Sequence, residues 1–329
     1  MTLRIIYIGA ILPILSYGAP VWIEGLKRKH NATKFKRVQR LINIKIARAY
    51  HTTSHEALCV LTGITPILIE LRSQAKIYYN TRGNTQIGLY DAPIHYSKYS
   101  HPANAIELTD KCEKREYTIE IYTDGSKSPS SVGSGIAIFV NKHMTLQLTY
   151  KLAEKCSNNQ AEQLAIVKTL EKLQYFRHSK ERQRYAAIHT DSKITLHATA
   201  NPGNHQNLVE QIREGVRRLE KDNWTIHFSW VKAHNDNFGN ELADQLAKKA
   251  TNSGEGETAY SKILKSVVIK EIQDEGELEW QKEWNASTKG EITKKILPSY
   301  RRPEIKKITN EYKIFKGSNR ARHTESILP

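Results

Sequence analysis

Between Tyr117 and Thr251 the apolar period alternates between two and 3.6, and no other feature of this 329-residue chain restricts its fold as much. Alternating runs predict strands at Tyr117–Thr123, Val132–Val140, Leu146–Lys151, Tyr185–Thr190 and Trp224–Val231. Helical spacing predicts helices over Ser157–Phe176, Ser192–Ala200, Asn204–Lys221 and Phe238–Ala250. That order describes an α/β domain, a five-stranded mixed sheet flanked by helices. Gly133 and Gly135 sit inside the second strand, where another backbone is expected to approach closely.

The flanks have a different texture. Residues 1–82 read as a helical segment, with Ser54 capping one helix and Pro66 opening another. Residues 83–116 are polar, carry Gly83, Gly88, Pro93 and Pro102, and read as a linker. Residues 252–329 form a partly helical tail, in which Ile263, Leu264, Val267, Val268 and Ile272 mark a helix. The opening run MTLRIIYIGAILPILSYGAPVW is broken by Pro13 and too short to span a bilayer. It reads as a buried helix or paired segments rather than a signal, so no membrane partner is expected.

Charge points to the partner. Lys and Arg outnumber Asp and Glu by 50 to 34, a net charge of +16, which favours polyanions and above all nucleic acid. Lys27, Arg28, Lys29, Lys34, Lys36, Arg37, Arg40, Lys45 and Arg48 follow one another without an acid. Interleaved Phe35, Val38, Leu41, Ile42 and Ile46 describe a helix with one packed face and one face open to phosphates or to solvent alone. Cys59, Cys112 and Cys156 are odd in number and form no metal spacing, which suits a reducing intracellular compartment, nucleus or cytoplasm.

Four acids stand in unusual places. Asp124 and Asp191 end strands, and each has an ordinary reading, a turn with Gly125 for the first and a helix cap for the second. Glu162 opens an apolar stripe with Ile166, Leu170 and Leu173, while Asp244 sits early in a helix. In an α/β layer, carboxyl ends of strands and adjacent helix turns converge on one edge. Acids gathered there repel unless cations intervene, and all-oxygen ligands select Mg²⁺ or Mn²⁺. Two such ions about 3.5–4 Å apart suit phosphodiester chemistry.

TDGS at 123–126, SNNQAE at 157–162, TDS at 190–192 and WVKAHNDNFGNELAD at 230–244 together resemble the type 1 ribonuclease H signature, over roughly Tyr117–Thr251. The resemblance implies a ribonuclease H-like fold that cuts the RNA strand of an RNA–DNA hybrid with Mg²⁺. It implies metal-binding roles for Asp124, Glu162, Asp191 and Asp244, and proton shuttling or product release for His234. Asn158 and Asn159 match positions facing the hybrid's minor groove, and Gly125, Ser126, Ser192 and Lys193 match further substrate contacts. Asn240 and Glu241 would support the ligands. Lys193 departs from the glutamine of some family members and favours a phosphate over a base edge. The basic insertion of some bacterial members is missing, and the helix near residues 27–48 is expected to supply grip instead.

ILPILSYGAPVW, KRVQRLINIKIARAY, TTSHEALCVLTGITPI and EWQKEWNASTKG resemble segments around ribonuclease H in non-LTR retrotransposon polyproteins. That implies a thumb-like reverse transcriptase end for residues 1–82, and the whole reads as a fragment or degraded copy of such an element; the sequence carries no Tyr-x-Asp-Asp polymerase motif. Two further readings stand beside the hybrid nuclease: an inactive nucleic-acid-binding relic, and a DEDD-type exonuclease. The latter fits less well, because its paired acids belong on one strand whereas Glu162 follows on a helix.

Overall fold

The computed structural model describes residues 2–82, 90–94, 118–176, 184–232, 237–252 and 257–299. The chain forms two compact units, one of residues 1–85 and 268–329, the other of residues 86–267.

The first unit opens with α1 (Thr2–Ile6), a π-helical turn at Tyr7–Ile11, α2 (Leu12–Ser16) and α3 (Ala19–Trp22), broken at Gly18, whose φ of 65° is left-handed. Tyr7 and Ala19 are buried, but Ile5, Ile14, Tyr17 and Val21 are exposed. The expected burial of this run therefore fails within the unit, because apolar residues ring the turns and only one side has neighbours. No single helix among the described residues is long and apolar enough to cross a membrane; the pair Thr2–Ser16 and Ala19–Lys27 reaches that length only across a 48° bend.

In α4 (Lys29–Ala47) the packed face meets expectation only in part: Phe35 stacks on Trp22, and Ile42 and Ile46 are half-buried. Gln39, Asn43 and Ile44 are buried, while Val38 and Leu41 are exposed. Gln39 is accommodated because its amide is fully used. It donates to the Tyr7 hydroxyl at 3.1 Å and the Thr65 carbonyl at 2.8 Å, and it accepts from the Ile67 amide at 2.8 Å. Lys34, Arg37, Lys45 and Arg48 are exposed on either side of Val38 and Leu41. α5 (His55–Thr62) is capped by Ser54, which accepts from the Ala57 amide at 3.2 Å, and α6 (Ile67–Thr81) follows Pro66 as its cap residue.

The second unit is built on a mixed sheet. Its strands are β1 (Ile119–Lys127), β2 (Val132–Val140), β3 (His143–Leu152), β4 (Arg184–Thr190), β5 (Trp224–Trp230) and β6 (Thr258–Tyr260), in the order β5-β4-β1-β2-β3-β6. The sheet thus has six strands rather than the expected five. The sixth is a three-residue edge strand parallel to β3, too short to show alternation in sequence. Helices α7 (Asn158–Leu173), α8 (Lys193–Ala200), α9 (Asn207–Lys221) and α10 (Phe238–Asn252) flank it. Ile121, Ile136, Ile138, Ile166 and Ile188 are fully buried in the core between sheet and helices.

Glycines set how closely helices meet the sheet. A Cβ on Gly135 would stand 2.1 Å from the Ala243 carbonyl oxygen, and one on Gly133 would stand 2.6 Å from the Ala250 Cβ. Only residues without a side chain let α10 press this tightly on β2.

The chain returns to the first unit through α11 (Lys265–Ala286) and α12 (Glu291–Ile296). Trp280 and Trp284 pack there with Val60, Ile69 and Leu297, and Arg72 bonds Glu279 at 2.7 Å. Cys59 and Cys156 are buried free thiols, and Cys112 lies outside the described residues, as does most of the expected linker.

Candidate active site

Parallel pairing of β1 and β4 ends at the rung Thr123–Thr190. The residue after the rung is an acid on both sides, Asp124 within β1 and Asp191 just past β4, so the register brings the two side by side. β1 itself runs on to Lys127 as an antiparallel partner of β2, with Asp124 opposite Gly135. Asp124-Gly125 is therefore strand rather than turn, and Asp124 lies where the parallel ladder stops, not where the strand stops.

Glu162 arrives from α7. A Cβ on Gly125 would stand 2.7 Å from the Glu162 amide nitrogen, so glycine permits the helix to start against β1. The Ser134 hydroxyl donates to the Ala161 carbonyl at 2.7 Å and fixes the same turn. Ser157 caps α7 in a capping box with Gln160, which leaves Asn158 and Asn159 exposed at the cleft rim. Asn158 Nδ2 stands 3.5 Å from Glu162 Oε1. Ser192 caps α8 through the Thr195 amide at 3.3 Å, so that task does not fall to Asp191.

Asp124, Glu162 and Asp191 each offer an oxygen within 4.8 Å of the others. Burial, then the charge of Asp191, pushes Asp124 up to about 7. Burial, followed by Asp124 and Asp191, holds Glu162 well above the usual carboxylate range. Glu162 Oε2 is buried with no hydrogen-bond partner. Acids this close, two of them buried and Glu162 with an unpartnered oxygen, fit a hard divalent cation, which relieves their repulsion and occupies that oxygen.

A cleft of about 600 Å³ surrounds them, lined also by Gly125, Asn158, Asn159, Ser192, Lys193, Asn240, Glu241 and Asp244. Asp244 lies in the cleft but outside the group of three; its Oδ2 is 2.6 Å from Lys248 Nζ. Asn240 is buried, and its side-chain oxygen has no hydrogen-bond partner. Gly239 holds it there, because a Cβ on Gly239 would stand 2.3 Å from the Tyr122 ring. Ser126 pairs with Gly133 in the ladder and does not line the cleft. His234 lies outside the described residues.

Trp230 and Ile194 also line the cleft, and the sequence reading had not singled them out. The Trp230 indole donates to the Asp191 carbonyl at 3.1 Å, and its ring carries the Lys193 ammonium 3.8 Å from the centroid.

A family model for RNase H matches residues 116–252. A ribonuclease H from Trichodesmium erythraeum is 31% identical over 154 residues, which cover 42% of this chain and 91% of that protein. The chain belongs to the ribonuclease H family. A retrovirus-related Pol polyprotein from the type-1 retrotransposable element R1 4 of Nasonia vitripennis is 36% identical over 87 residues. The match covers 26% of this chain and only 22% of that polyprotein. Among solved structures, the foamy viral protease-reverse transcriptase in complex with an RNA/DNA hybrid is 22% identical, with a TM-score of 0.35. That alignment covers 44% of this chain and 22% of the other. Within the ribonuclease H domain, Asp124, Glu162, Asp191 and Asp244 all line one cleft.

Proposed function

We propose that the chain hydrolyses the RNA strand of RNA–DNA hybrids with divalent metal, and that it derives from a retrotransposon. One observation carries this reading: three acids, Asp124 and Glu162 buried and Asp191 half-buried, with oxygens within 4.8 Å of one another, inside a domain of the ribonuclease H family. Asp124, Glu162, Asp191 and Asp244 hold the metal, for which we propose two Mg²⁺ ions, with Mn²⁺ able to replace them. Bound metal supplies Lewis-acid neutralisation of phosphate charge and a more acidic water.

The chain's own groups bind and orient. The Asn158 and Asn159 amides hydrogen-bond 2′-hydroxyls and base edges across the minor groove, distinguishing RNA from DNA. Gly125 and Ser192 contact the substrate backbone, and Lys193, held over Trp230, meets a phosphate. Asn240 and Glu241 support the metal-binding acids, and His234 moves a proton or aids product release. The exposed cations of α4 add salt-dependent affinity for the same polyanion. We assign residues 1–82 to a thumb-like reverse transcriptase end and 117–251 to the nuclease, which residues 90–94 and 258–263 extend within the same compact unit, in an intracellular protein.

The test is nicking of a labelled circular hybrid by the full chain with Mg²⁺, beside hybrid binding in EDTA. Metal-dependent nicking of a substrate without ends supports the endonuclease. Binding without nicking supports the inactive relic instead.

A further inference from the structure

Asp91 and the segment Thr258–Ile263 lie outside the matched residues 116–252, yet both converge on the first turn of α7. The Asp91 amide donates to the Ile263 carbonyl at 2.7 Å, and the Ile94 amide donates to the His205 carbonyl at 2.9 Å, so this short stretch is held at both ends. The second segment is joined to the sheet by β6 and by the Ala153 amide, which donates to the Tyr260 carbonyl at 2.9 Å.

Gln160 is where the two segments meet the helix. Its Oε1 accepts from the Ser157 amide at 2.9 Å in the capping box. Its Nε2 donates to Asp91 Oδ2 at 2.8 Å and to the Lys262 carbonyl at 3.0 Å. Gln160 is 2% exposed and Asp91 7%, so neither can exchange its partner for water. The pairing also fixes the amide's orientation, because a flipped Gln160 would turn its oxygen on a carboxylate.

We propose that Asp91 is a positioning residue for the ribonuclease reaction, fixing through Gln160 the turn that presents Asn158, Asn159 and Glu162 to the cleft. The proposal rests on the hybrid-nuclease reading for its substrate, and it makes both flanks of the matched region part of the working domain.

In the full chain, Asp91→Ala is expected to raise at least fivefold both the KM for hybrid and the Mg²⁺ concentration giving half-maximal rate. It should also speed amide exchange within residues 157–163 at least tenfold, with exchange in β4 and α10 unchanged. Asp91→Asn keeps an acceptor for Gln160 and is expected to stay within twofold of the parent on all three. Unchanged KM and exchange in Asp91→Ala would overturn the proposal, as would equal losses in Asp91→Asn. Should Asp91→Ala fail to fold, Gln160→Glu places two carboxylates together, and adding Asp91→Asn restores a donor–acceptor pair. Recovery of protection in that double variant supports the clamp, and no recovery overturns it. Exchange requires no turnover, so a parent chain inactive on hybrids defeats the nuclease reading while the clamp is still decided.

Discussion

Asp124 and Asp191 each stand one residue past the Thr123–Thr190 rung of two parallel strands, Asp124 within β1 and Asp191 just beyond the end of β4. Hydrogen-bond register alone thus sets two acids against each other, and the start of α7 adds Glu162. The site follows from where the ladder ends and how closely a helix can approach it.

That closeness makes Gly125 the most sensitive small residue. Gly125→Ala places a methyl 2.7 Å from the Glu162 amide and 2.9 Å from the Ala161 Cβ, which are backbone and core atoms with little room to give. We expect a loss of about 1–3 kcal/mol in stability and a raised Mg²⁺ requirement, read by denaturant unfolding and metal titration of the nicking rate. Parent-like values in both would contradict the close approach.

Without metal, stability should fall as pH rises. The folded-state pKa of Asp124 is raised from 3.8 to about 7, so between those values the folded chain holds a proton that the unfolded chain has released. The fold binds more protons, and its stability declines by on the order of 2–4 kcal/mol across that window. In EDTA the melting temperature should therefore drop between pH 4.5 and 7.5 (roughly, from the same window), and Asp124→Asn should reduce that drop, the remainder belonging to Glu162, which burial also raises. Mg²⁺ should stabilise more at the upper end, where it no longer competes with protons. A flat profile in EDTA would contradict the repulsion.

Lys193 and Trp230 should act together on substrate affinity. Lys193→Gln is expected to reduce the salt slope of hybrid binding by about 1, the mark of one lost phosphate contact. Trp230→Ala removes the ring under Lys193 and the donor to the Asp191 carbonyl, and should raise KM by roughly fivefold. Binding measured from low to moderate salt checks both, and an unchanged slope in Lys193→Gln would exclude the phosphate contact.

The outer face of α4 predicts a separable contribution. Reversing Lys34, Arg37 and Lys45 to Glu alters exposed side chains and leaves the Gln39 network untouched. Hybrid affinity should weaken at least tenfold at low salt, while kcat at saturating hybrid stays within about twofold. Unchanged affinity would make this a merely solvated face.

Much of this was legible in the residues. The second strand was found to the residue at Val132–Val140, because its continuous apolar run and two glycines leave few alternatives. The acids were found because each breaks a local pattern. What escaped has physical reasons. Three residues of β6 cannot display a period, and Trp230 looks like a core residue until β5 is seen to end there, on the cleft. Val38 and Leu41 mimic a packed stripe, yet α4 turns inward the polar Gln39 and Asn43, whose partners lie far along the chain. Asp91 sits in a polar stretch without periodicity, and only its contact with Gln160 gives it meaning.

The most direct measurement is metal-dependent nicking of a labelled RNA–DNA hybrid by the full chain and by Asp124→Asn, with binding of the same hybrid followed in parallel. The account predicts that the parent cuts only with Mg²⁺ or Mn²⁺, and that Asp124→Asn binds hybrid within about threefold of the parent while cutting at least a thousandfold more slowly. Cleavage by purified Asp124→Asn at the parent rate would contradict it.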